Sequence, residues 1–228
     1  MLLSLNTACQ KEELTFVSGD LQIDVTAGDH WLHDFRLFMG IDRKNPPQFA
    51  IWTEDLNGNY IETIYVTERI ATESWIANGD NRRKEALPYW CHKRGVVYDD
   101  GLYLPTKDKP IADAFTGATP KTDAIFKCPS NAFELPVVIK AEFNQSTDFN
   151  DAWPKDAKES DANYSGGQEG SGQPAVVYSA ILSSEDSCVT LKLTGHSSPD
   201  GTDGNLYSDV ESLDTGLEIV KTITVTRK

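Results

Sequence analysis

Asp113-Ala-Phe-Thr116-Gly117-Ala-Thr119-Pro120 is the one short run in this chain whose order packing alone does not explain. Asp113, Thr116 and Thr119 bring three side-chain oxygens into seven residues, and Gly117-Ala118 lets the backbone turn tightly without side-chain bulk. The plain reading is a polar turn whose Asp and Thr oxygens cap its own amides. The chemical reading is a hydroxyl held out on a small-residue turn.

Other residue types that do chemistry are scattered. His30 and His33 lie three apart, a spacing that shares a face on a helix but not on a strand. The alternation of Phe35, Leu37 and Met39 with Arg36 and Phe38 predicts a strand, so a pair of surface or half-buried histidines is expected there rather than a metal site. Asp55, Asn57 and Asn59 have the oxygens of a calcium loop, but Gly58 falls at the fourth position where an EF-hand has glycine at the sixth. A hairpin turn at Asn57-Gly58 explains the same residues. Asp200, Asp203, Asn205 and Asp209 form a second oxygen-rich stretch, expected to be a solvated loop, with calcium as the alternative. Tyr89, Trp90 and His92 could stack on a flat ligand, although Trp90 reads better as a core anchor. Cys91, Cys128 and Cys188 fit no zinc spacing, and outside the cytosol one disulfide among them would leave an odd thiol.

The elements that must position these residues are short strands. β-Prone runs are expected at 14–17, 21–26, 48–54, 60–67, 124–128, 135–143, 175–182, 188–194 and 219–227, several with period-two alternation. Pro88 argues against one long helix between 73 and 95, where a helical turn followed by an irregular segment is expected. Residues 146–173 read as a long polar loop, of the kind that is functional or disordered. About ten short strands with one or two short helices predict an all-β fold, an antiparallel β-sandwich of immunoglobulin-like architecture with long loops. Residues 14–228 form its single domain, and residues 1–13 a separate tether.

Across 228 residues the formal charge is −14, which disfavours nucleic acid and anionic lipid headgroups as partners. The opening Met1-Leu-Leu-Ser-Leu-Asn-Thr-Ala-Cys9 resembles the end of a bacterial lipoprotein signal, in which Cys9 becomes the acylated first residue. Gln10-Lys11-Glu12-Glu13 directly after it resembles the surface-export signal of Bacteroidetes lipoproteins. Together they imply an outer-membrane or cell-surface protein whose membrane contact is the lipid anchor alone.

Three blocks, Phe49-Ala-Ile-Trp-Thr-Glu-Asp55-Leu-Asn-Gly-Asn59, Leu87-Pro-Tyr-Trp90 and Asp113-Ala-Phe-Thr-Gly-Ala-Thr119, resemble a family of predicted secreted bacterial proteins, domain-of-unknown-function family 2271. That resemblance implies an exported β-sandwich and no established activity. The last block also resembles the flavin-attachment motif of FMN-binding electron-transfer proteins, Asp-x-x-(Ser/Thr)-Gly-Ala-Thr. It implies FMN on Thr119 in a phosphoester, with Asp113, Thr116 and Gly117 completing the motif; Pro120-Lys121 departs from the usual residues that follow. No Gly-x-Ser-x-Gly elbow, His-Glu-x-x-His or phosphate loop occurs in the sequence. The expectation is therefore a non-catalytic module binding a small molecule, a glycan or a protein, with the flavin carrier as alternative.

Overall fold

The computed structural model describes residues 14–36, 42–75, 82–111 and 114–228. Among them the chain is all-β, with twelve strands and two short helices. A four-stranded sheet runs in the order β10 (Cys188–Thr190), β12 (Val220–Arg227), β1 (Leu21–Ala27), β7 (Ala124–Cys128). A six-stranded sheet runs β11 (Lys192–His196), β9 (Val176–Leu182), β8 (Val137–Asn144), β4 (Gln48–Glu54), β5 (Tyr60–Thr67), β6 (Phe115–Gly117). A small hairpin of β2 (His33–Arg36) and β3 (Asp42–Asn45) stands apart. All pairings are antiparallel except β5 with β6, so the larger sheet is mixed.

The sheets share one apolar core. Leu21, Ile23 and Val25 of β1, Phe126 of β7 and Ile223 and Val225 of β12 join Phe49 and Ile51 of β4 and Ile139, Ala141 and Phe143 of β8. At its centre Phe49 stacks on Phe143 at 4.8 Å between ring centroids and sits 5.0 Å from Tyr65, which in turn meets Phe126 at 4.3 Å. The other face of the six-stranded sheet is buried as well. Ala50 and Trp52 of β4 and Val66 of β5 pack there with α1 (Glu68–Thr72), α2 (Pro88–Arg94) and Leu104 and Ile111 of the following loop. This explains the nearly unbroken apolar run of β4: alternate residues feed two cores, and all seven are buried.

Several expectations need adjusting. Leu14–Val17 is not a strand. The expected strand over 188–194 is two strands in different sheets, which separate at buried Leu191. Pro88 begins a helix rather than ending one; at the first helical position its missing N–H costs nothing. The expected strand at 35–39 is β2 as far as Arg36, and the rest lies outside the described residues. The long segment 146–173 is pinned throughout. Thr147 and Asp148 donate backbone hydrogen bonds to the carbonyls of Gly170 and Ser171 at 2.8 Å, and Trp153 enters the inter-sheet core.

Gly172 lies at the closure of that segment with φ +79°, where a Cβ would collide with the Asp148 carbonyl. Gly172→Ala is expected to cost about 1–3 kcal/mol from the left-handed backbone alone, with the collision adding to it. Urea unfolding of the variant measures the loss, and an unchanged midpoint would contradict this account of the loop.

Candidate functional site

β6 covers only Tyr65–Thr67 of β5, so among the described residues 60–64 form an open sheet edge. β7 is likewise an outer strand of its sheet. Between these two edges lies a groove of about 370 Å³ lined by Leu14, Glu62, Thr63, Ile64 and residues Ile125 to Pro129. That volume falls within the range of small-molecule sites, and the lining is mostly apolar. Ile125 and Leu14 are each about half exposed at its rim, at 51 % and 47 %. Lys127 secures the rim: its Nζ donates to the Thr15 carbonyl at 2.7 Å and pairs with Asp20 at 2.8 Å, tying the stretch before β1 to the wall.

Two titratable side chains meet in this groove. The Cys128 thiol donates to Glu62 Oε1 at 3.7 Å. Burial raises the Glu62 carboxyl above its ordinary range. Burial, then the Glu62 charge, pushes the Cys128 thiol far up, so this cysteine is not a thiolate nucleophile.

A second polar cluster lies on the opposite face of the six-stranded sheet. Glu54 accepts from Trp52 Nε1 at 2.8 Å and pairs with Lys140 at 3.1 Å, while Lys140 also donates to the Tyr89 hydroxyl at 2.5 Å. Helix α2 begins at Leu87 without a side-chain cap of its own. Glu142 of β8 supplies one, accepting from the amides of Tyr89 at 3.2 Å and Trp90 at 2.7 Å. Every member of this cluster is satisfied and enclosed, and it reads as the seam between sheet and helix. Burial raises Glu142 to about 7 against these amide bonds.

The residues singled out by sequence do not converge. Thr116 and Gly117 belong to β6 rather than to a turn, Thr119 follows two residues later, and Asp113 and Cys9 lie outside the described residues. The Tyr65 hydroxyl donates to the Gly117 carbonyl at 3.1 Å and Trp31 Nε1 to that of Pro120 at 3.0 Å. The histidines turn to separate carboxylates: His30 sits 3.2 Å from Glu218, and His33 sits 3.9 Å from Asp148. Asp55 accepts from the amides of Asn57 and Asn59, both at 2.8 Å, as a hairpin turn does. Asp200 and Asp203 likewise serve the amides of Thr202 and Asn205 in their own loop. Among the described residues no cluster of three or more His, Cys, Asp or Glu is arranged to hold a metal. Trp90 is fully buried and Tyr89 nearly so, while His92 stacks on Tyr103 at 4.1 Å beside a small cleft, so the three do not form one shared open face. The three described cysteines are free, with Cys91 and Cys128 in different cores and Cys188 exposed.

No protein-family model matches this chain, and neither does any curated protein or solved structure. The site is read from its own geometry. Sequence reasoning passed over Glu62, Ile64 and Ile125 because they come from strands some sixty residues apart that meet only at two sheet edges. The one signal was local: an apolar Ile125 at an outward position of β7.

Glu142 gives a pH signature. Its carboxyl is raised from 4.5 to about 7 in the fold, so between those values the native state holds a proton that the unfolded chain has lost. Its contribution to stability is full below the lower value and is lost as pH rises through the upper one. The melting-temperature advantage of wild type over Glu142→Gln is therefore expected to shrink between about pH 4.5 and pH 7. A difference constant across that window would show that Glu142 does not titrate there.

Proposed function

We propose that this chain is an exported, lipid-anchored β-sandwich of immunoglobulin-like architecture that binds a small apolar ligand and performs no catalysis. The observation that carries the binding reading is the open groove between β5 and β7, a concave apolar site with a single under-paired polar group. The sandwich reading rests on two sheets sharing one core, with the chain passing repeatedly from one to the other. The export reading rests on the signal-like residues before Gln10, with acylation at Cys9 placing the domain outside the membrane. Among the described residues no helix is long and apolar enough to cross a membrane, and the proposed anchor needs none.

Nile red, a neutral apolar dye, tests the groove directly. Its fluorescence is expected to rise on binding, and Ile125→Lys at the exposed rim is expected to weaken that binding about fivefold or more without lowering the melting temperature. Equal binding by the variant would place the dye elsewhere and remove the groove from this reading.

One observation favours covalent flavin as a second reading. Thr119 is half-buried and its hydroxyl makes no hydrogen bond among the described residues, while the carbonyls of Gly117 and Pro120 on either side are held by Tyr65 and Trp31. A fixed backbone with a free hydroxyl suits attack on the pyrophosphate of a flavin dinucleotide, forming the phosphoester to FMN as the phosphoanhydride bond breaks and the nucleoside monophosphate leaves. Intact mass of protein co-expressed with a flavin transferase is expected to show one FMN adduct that Thr119→Ala removes. An adduct that survives the substitution ends this assignment.

A further inference from the structure

Glu62 is set apart from the other buried or half-buried carboxylates. Glu54 has an indole N–H and a lysine, Glu142 has two backbone amides, and Asp20 has Lys127 with the amides of Val17 and Ser130. Asp148 accepts from Gln173 and Thr215. Glu62 has the Cys128 thiol, a weak donor 3.7 Å away. The nearest cation in the same wall, Lys127, is already committed to Asp20 and to the Thr15 carbonyl. A carboxylate facing an apolar groove with so poor a partner is expensive to hold there, and a charged donor arriving with a ligand would relieve that cost.

Resting on the groove as the binding site, we infer that its ligand is a small amphiphile with a primary ammonium head, which donates to Glu62, and an alkyl tail, which lies along Leu14, Ile64, Ile125 and Phe126. The chemistry of the wall makes both demands at once. The head must donate and carry positive charge, because a carboxylate is an acceptor and the chain's net charge of −14 draws cations. The tail must be apolar, because apart from Glu62, Thr63 and the committed Lys127 the side chains of the lining offer carbon and a buried thiol, and most of the lining surface is apolar.

Calorimetric titration of the folded protein with octylamine, butylamine, octanol and octanoate at neutral pH separates these demands. Octylamine is expected to bind at least about tenfold more tightly than octanol, the smallest gain a charge-assisted hydrogen bond would give, and octanoate to bind more weakly still. Butylamine, with the reach of a lysine side chain, is expected to lose most of the affinity because it leaves the apolar wall uncovered. Glu62→Gln is expected to bring octylamine down to the level of octanol, with the melting temperature confirming that the variant folds. Equal binding of all three octyl compounds by wild type would leave the groove a binding site and overturn the ammonium head. Butylamine binding as tightly as octylamine would overturn the alkyl tail. Binding of none of the four would overturn the groove itself, and with it the function proposed above.

Discussion

Strand β4 is buried along its whole length on both faces, and the rest of the structure answers to that constraint. A strand with one wet face can place its polar residues outward; β4 has no outward side. Phe49 and Ile51 must meet a second sheet, and Ala50 and Trp52 must meet helices. Glu54 and the neighbouring Lys140 and Glu142 of β8 are then enclosed polar groups, tolerable only when hydrogen-bonded: Glu54 pairs with Lys140, and Glu142 accepts from backbone amides. The pairing is what fixes α2: a seven-residue helix too short to persist alone is held by a carboxylate on the sheet at its first turn. The helix in turn roofs the face that made the carboxylate necessary.

Much of this was legible in the sequence, because period and turn chemistry are local. The hairpin at Asn57-Gly58, the limits of β7 at Ala124 and Cys128 and the alternation of β12 follow from patterns spanning a few residues. What pattern could not supply is partnership. Residues 188–194 alternate as one strand does, yet the chain changes sheets at Leu191, a choice made by cores assembled from distant strands. Pro88 was read as a breaker because a proline inside a helix is one. Its role at a helix start depends on a cap arriving from β8, more than fifty residues further on. The polarity of segment 146–173 concealed its order, since its hydrogen bonds join its own two ends.

The candidate groove was invisible for a sharper reason, a single extra residue. Ile51 pairs with Tyr65 and Trp52 with Thr63, so Ile64 is a bulge in β5. Without it, strict alternation from Val66 would put Ile64 and Glu62 on the helix-covered face with Trp52, and Thr63 toward the other sheet. With it, Ile64 joins Tyr65 in the inter-sheet core, Thr63 turns back to accept from Trp90 Nε1 at 3.0 Å, and Glu62 swings to within reach of Cys128. On the helix-covered face Glu62 would have entered a cluster already rich in donors. On this face it meets carbon and a thiol. The bulge therefore decides that a carboxylate stands in the apolar groove. An apolar residue at that position would spare the fold a poorly paired carboxylate, so Glu62 adds little to the stability of the edge on which it stands.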